Sequence, residues 1–246
     1  MNSYPVDYEN LPFEDQLRQF RYDEISKHIN LLTTKSILEI GCGSTPFYSH
    51  IVYSGKYVFC EASDMYLDKL KKQYGLHQNV QFVLGKFEES ILEIKELAET
   101  FDVIIIGGFL HEIANPKIVL NALKVFCHSQ TRVISYVPNA DSFHRLLGIE
   151  SSEITSKFEF SNNDRKFGRQ IVFDRNSFGE LFTSHKYEVE KLYSYFIKIF
   201  PHDQMVDMLK INGLTPTLLK GFNKMIKYMP NLGCELLIVA KFDSNE

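Results

Sequence analysis

The chain has 246 residues, 44% of them hydrophobic, a formal charge of −4 and four cysteines. That length suits one large domain, or one domain with an elaborated cap, and the nearly balanced charge gives no electrostatic case for binding nucleic acid or an anionic membrane. Cys42, Cys60, Cys127 and Cys234 lie far apart, with no CxxC pair and no metal-ligand spacing, so free thiols, no metal and a reducing cytoplasm are expected. No apolar run reaches the ~18 residues of a membrane span, and the opening MNSYPVDYENLPFEDQ lacks the apolar core of a signal peptide.

In chain order, residues 13–32 carry apolar side chains mostly three or four apart, which predicts a helix ahead of the first strand. Five strands follow, at Ser36–Ile40, Tyr57–Glu61, Val80–Leu84, Phe101–Ile106 and Arg132–Val137. Most are apolar nearly throughout, as strands covered on both faces of a parallel sheet are. Between them, Leu67, Leu70 and Tyr74 recur at helical spacing behind Ser63 as an N-cap. Asn115-Pro116 reads as a cap with proline at the first helical position, ahead of Ile118, Ala122 and Phe126.

Residues 138–170 are polar and irregular, with SNNDRKFGRQ as a loop. FDRNSFGELFTS offers a cap and a helix. YEVEKLYSYFIKIF and CELLIVAKF supply two more strands, around helical residues at about 202–229. The alternation predicts an α/β fold: a seven-stranded, mostly parallel, doubly wound Rossmann-like sheet with a reversed last strand, an N-terminal helix and inserted cap segments. One domain spans the chain. It divides into a helix or lid (1–35), a cofactor-binding core (36–137) and substrate-side insertions with the last two strands (138–246).

The stretch ILEIGCGS sets a glycine turn at the end of the first strand, leading into a possible helix. The GxxxxGK[ST] of a phosphate loop is absent, and the third glycine of a GxGxxG dinucleotide turn is missing. What remains is a turn passing close beside a nucleoside bearing an amino-acid chain, where glycine lets the backbone approach the ligand. Glu61, at the end of the neighbouring strand, is placed to accept both ribose hydroxyls.

ILEIGCGS, CEASDMYLDKL, VQFVLGKFEE and FDVIIIGGFLHEIANP, in that order, resemble the successive motifs of class I S-adenosylmethionine-dependent methyltransferases over residues 36–137. The resemblance implies S-adenosylmethionine as cofactor, with Glu39, Gly41 and Gly43 along its methionine part and Glu61 on the ribose. Ala62 and Phe87 would flank the adenine, and Gly107 would face the sulfonium. Thr45 stands where a third glycine is common, and Lys86 where an adenine-binding Asp is usual.

An alcohol acceptor benefits from a general base in methyl transfer, whereas a neutral amine does not. His111, just past the fourth strand, is the first candidate base, with Glu112 beside it, and His144 is the second. SYVPNADSFHRLLG and YFIKIFPHDQM resemble a bacterial methyltransferase subgroup associated with sugars and surface polysaccharides. By position, Asn139, His144, Arg145, Lys198 and His202 rim the substrate pocket, and their positive charge suits an anionic or phosphorylated small molecule. The N-terminal helix is a lid candidate, with Arg21 or Tyr8 reaching inward. The leading expectation is O-methylation of a sugar-derived or phosphorylated precursor. N-methylation of an amino sugar and a cofactor-binding scaffold are the alternatives.

Overall fold

The computed structural model describes residues 12–242. Seven strands form one sheet in the order β3-β2-β1-β4-β5-β7-β6. They are β1 (Ser36–Ile40), β2 (Lys56–Glu61), β3 (Val80–Leu84), β4 (Phe101–Ile106), β5 (Cys127–Pro138), β6 (Tyr187–Tyr195) and β7 (Glu235–Phe242). β1 to β5 pair in parallel, and β7 runs antiparallel to both β5 and β6, between which it is inserted. The reversed strand is therefore an inner one, and β6 takes the edge.

Alternate residues of the central strands feed two cores. Ile37, Tyr57, Phe59, Val103 and Ile105 meet α1 (Pro12–Ser26) and α2 (Asp64–Tyr74) on one face. Leu38, Ile40, Val58, Ile104 and Ile106 meet α3 (Ile91–Leu97) and α4 (Pro116–Leu123) on the other. Period-two alternation into two apolar layers is what makes these strands read as unbroken hydrophobic runs. Ser63 caps α2, its side chain accepting from the Tyr66 N–H, and Pro116 opens α4, although the Asn115 side chain makes no capping bond.

β6 stops at Tyr195 rather than running on to Phe200, because Phe196 takes a φ of +55°, and the structure departs from the expected elements in four further places. α1 ends at Ser26 rather than running on to Leu32. Asn30 Oδ1 accepts the Leu32 N–H at 3.1 Å, forming a turn that leaves Leu32 97% exposed. No α-helix follows the glycine turn. Only a 3₁₀ turn, Phe47–His50, forms behind Pro46.

β5 starts at Cys127, five residues early. Its polar opening hides a strand in which Thr131 Oγ1 accepts from His128 N at 2.8 Å and donates to Phe101 O at 2.6 Å, across a register shift. Finally, the region expected to be irregular contains α5 (Phe143–Glu150) and α6 (Asn162–Lys166). α6 forms inside the expected SNNDRKFGRQ loop because Ser161 and Asp164 close a capping box. α7 (Arg175–Thr183) follows with its own capping box from Asp174 and Ser177, and α8 (His202–Lys210) and α9 (Pro216–Lys224) fill the segment before β7.

Candidate active site

The sheet order reverses between β1 and β4, and ligands collect at the carboxyl ends of such strands. Here the two strand ends are drawn together: Gly107 N donates to Ile40 O at 2.7 Å and Gly41 N to Cys60 O at 2.8 Å. A β-carbon on Gly107 would lie 2.3 Å from the Gly41 carbonyl oxygen, so no side chain fits there. Gly41 and Gly43 have φ of +66° and +61°, a region costly for any residue with a β-carbon. A β-carbon on Gly43 would meet nothing within 4 Å. That open space belongs to a cavity of about 370 Å³ bounded by the glycine turn, Glu61, Gly107, His111 and the charged face of α1.

Glu61 Oε2 accepts the Gly43 N–H at 2.8 Å and Oε1 accepts the Ser63 N–H at 2.9 Å. Burial raises the pKa of this carboxyl, and these backbone donors work against the rise. Oε2 also takes a weak Cys42 S–H contact at 3.9 Å, which a stronger donor can displace, so the group that shapes the turn can also receive hydroxyls.

Glu39 sits behind the turn and does not line the cavity. It accepts Phe47 N at 2.8 Å and the Tyr57 hydroxyl at 2.6 Å, and burial lifts its pKa to about 7 against those two donors. Its position makes it a brace for the turn.

α1 closes the other side. Glu14, Arg18 and Arg21 recur at spacings of four and three, so all three face the cavity. The buried Arg21 spans Glu235 through Nε at 2.9 Å and through Nη2, reaches Glu14 with Nη1 at 2.8 Å, and lies 4.6 Å above the Tyr136 ring. Burial opposes its charge, but Glu14 and Glu235 hold its pKa well above the usual arginine range. Tyr22 donates to Thr45 O, tying the helix to the glycine turn. Arg21 thus reaches inward as expected of the lid candidate, while Tyr8 lies outside the described residues.

His111 lines this cavity, 5% exposed, and neither ring nitrogen has a hydrogen-bond partner among the described residues. Glu112 Oε1 stands 3.8 Å from Nε2. Burial, then Arg169, pushes the imidazole pKa well below its ordinary value, which favours the neutral ring with a free lone pair. The His111 carbonyl accepts from Gln170 and Ile171 N–H at 2.9 and 3.1 Å, which brings Arg169 into the cavity wall.

Glu61, Gly41, Gly43, Gly107 and His111 therefore come together in one wall. The other expected site residues stand elsewhere. Ala62 is exposed, and the Phe87 ring packs 5.8 Å from Phe126 in the core, so neither lines the cavity. Lys86 points to solvent, with Nζ 3.3 Å from Glu89. Asn139 spends its amide on the Asn231 and Gly233 carbonyls and on Asp141 N–H. Arg145 is taken up by the carbonyls of Lys157 and Glu159 and by Asp164, within the cap. His144, Lys198 and His202 form a separate group and do not line the cavity.

The sequence reading missed Glu14, Arg18, Arg169 and Glu235. The signal available for the first two was a charged stripe on the face of α1 that otherwise packs inward.

The residues present fit S-adenosylmethionine: open backbone at the turn, a carboxylate for the ribose, and charges of both signs on α1 for an amino acid's two ends. Residues 38–133 match the family model described as a methyltransferase domain. No curated protein matches the sequence. Among solved structures, the chain is similar to the plantazolicin methyltransferase BamL in complex with a triazolic desmethylPZN analog and SAH, at 15% identity and a TM-score of 0.59, covering 97% of this chain and 92% of that one. A SAM-dependent methyltransferase from Archaeoglobus fulgidus gives 14% identity and a TM-score of 0.58, with 98% and 100% covered. The mitomycin 7-O-methyltransferase MmcR gives 12% and 0.58, with 92% of this chain but only 54% of that one covered. The chain thus carries a segment that matches a methyltransferase domain, set within the fold of these S-adenosylmethionine-dependent methyltransferase structures.

Proposed function

We propose that the protein methylates an oxygen of a polar small molecule, with His111 receiving the proton that the acceptor gives up. The observation that carries this is a buried imidazole in the same cavity wall as Glu61 and the glycine turn, without a hydrogen-bond partner among the described residues. When bound, S-adenosylmethionine supplies a methyl group made electrophilic by its sulfonium. The chain's own work is alignment and proton removal. Glu61 and the open turn hold the nucleoside, Arg18 stands on the side available to a carboxylate while Arg21 is held between Glu14 and Glu235, and Phe109 and Tyr136 exclude water. A wall with Glu14, Arg18, Arg21, Glu112, Arg169 and Glu235 suits a hydroxylated acceptor better than an apolar one, which supports the sugar-derived precursor implied by the sequence resemblance.

The test uses two variants. S-adenosylhomocysteine at a hundredfold its Kd should stabilise the wild type by about 2.7 kcal/mol, and Glu61→Ala should lose that gain. His111→Ala should keep the gain and lose roughly 10²-fold or more of turnover on a hydroxylated acceptor panel, the ordinary worth of a general base. Retained turnover in His111→Ala would remove His111 from the role of proton acceptor. No stabilisation by S-adenosylhomocysteine in the wild type would overturn the reading of the cavity.

A further inference from the structure

Beside the cavity lies a second polar cluster that the methyl-transfer reading leaves without work. Three chain segments bring it together. Phe143 N donates to Leu232 O at 2.9 Å and Cys234 N to Phe196 O at 2.8 Å, so the start of α5, the lead into β7 and the end of β6 are stitched side by side. From these segments come Ser142, His144 and Lys198, and α8 contributes His202, whose ring lies 5.9 Å from Phe13 of α1.

What sets the cluster apart is unmet hydrogen-bonding capacity. Ser142 Oγ, His144 Nδ1 and His202 Nε2 are all sealed from solvent and have no partner among the described residues. Ser142 is the N-cap residue of α5 yet makes no side-chain cap, and Pro201 cannot provide one for α8. Lys198 has no ion pair among the described residues. Burial lowers the pKa values of Lys198, His144 and His202, and the lysine charge adds to the lowering at both imidazoles. Orphaned buried polar atoms each cost stability, and a fold that keeps three on adjoining segments, two of them on imidazoles within the field of one ammonium, is prepared for a ligand that bonds to them. The four side chains offer N–H and O–H donors and no carboxylate, and the nearby Glu14 and Glu235 are already paired with Arg21, so the complementary ligand is an anion. Donors from separate segments suit a tetrahedral oxyanion, with acceptors in several directions, better than a planar carboxylate. The charges nearest Lys198 include Arg169, Glu14 and Glu235, all of which line the cavity, so a group seated here would be joined to whatever occupies it.

We propose that Ser142, His144, Lys198 and His202 form a seat for a phosphoryl group carried by the methyl acceptor, a deepening that rests on the methyltransferase reading. The acceptor is then a phosphorylated hydroxy compound, held by its anion at one end and methylated at the other.

Sulfate tests the seat, because it is tetrahedral and stays dianionic across the working pH range. Calorimetric titration of the full chain at constant ionic strength should show saturable, millimolar binding. Lys198→Met should weaken it about tenfold or more, the loss expected for one charge-assisted hydrogen bond. His202→Gln, a milder change, should weaken it as well and keeps the test valid if Lys198→Met does not fold. Acetate should bind far more weakly. Absence of saturable sulfate binding, equal binding by both variants and wild type, or acetate binding as tight as sulfate would each overturn the proposal. S-adenosylhomocysteine binding, followed on the same samples, decides the methyltransferase reading separately from the seat.

Discussion

Replacing Arg21 by methionine is the sharpest test of how the cavity is built. The guanidinium is buried with Glu235, itself only 7% exposed, and with Glu14, and Glu235 also accepts the Tyr195 hydroxyl. Methionine fills a similar volume but leaves two carboxylates facing each other in a low-dielectric wall. Removing one partner of a buried ion pair costs about 3–5 kcal/mol, because the stranded charge keeps its desolvation penalty. At about 2–4 °C per kcal/mol for a domain of this size, thermal unfolding should drop by roughly 6–20 °C. Glu235→Gln made on top of Arg21→Met removes one stranded charge and should recover at least about 1 kcal/mol, a coupling that a double-mutant cycle reads directly. Differential scanning calorimetry on the four proteins supplies the measurement. A loss below about 1 kcal/mol for Arg21→Met, the range of exposed pairs, or strict additivity in the cycle, would refute the claim that this triad is a buried, mutually dependent unit.

Two further predictions concern the turn itself. Glu39 has its pKa lifted by burial from an unfolded-state value of 4.5 to about 7, so between those values the folded chain holds a proton that the unfolded chain has released. Stability should therefore fall as pH rises from about 4.5 through 7, by up to about 3 kcal/mol from this group, and Glu39→Gln should flatten that slope in pH-dependent urea unfolding. The glycines separate shape from stability. Gly43→Ala should cost only the ~1–2 kcal/mol of a left-handed residue while abolishing stabilisation by S-adenosylhomocysteine, since its methyl enters the cavity. Gly107→Ala, driven into the Gly41 carbonyl, should instead destabilise the apo protein by about 3 kcal/mol or more in chemical denaturation.

The parallel strands were legible because burial on both faces writes them as unbroken runs of Ile, Val, Leu and Phe, and β1, β3 and β4 fall on their expected bounds. Short elements held by polar bonds were not. α6 depends on Ser161 and Asp164 finding each other, and β5 begins in a polar stretch that Thr131 stitches to β4. In the site, the glycines, Glu61 and His111 could be placed because strand ends locate them. Arg145 and Asn139 were read by residue type as substrate contacts, but a cap folded close enough to satisfy them internally. Glu235 escaped notice because its partner Arg21 lies 214 positions away, beyond any local pattern.

That separation, with the insertion of β7 between β5 and β6, has a consequence for how the enzyme comes into being. The floor under the cavity is carried by the last strand of the sheet, yet it anchors the first helix. A chain still lacking β7 leaves β6 without a neighbour to pair with, one edge of β5 open and Arg21 without Glu235, so the cavity cannot assemble piecemeal as the polypeptide emerges. Pairings this distant in sequence are slow to form. The glycine turn is made early, but the competence to hold its ligand arrives only when synthesis has reached the other end of the domain.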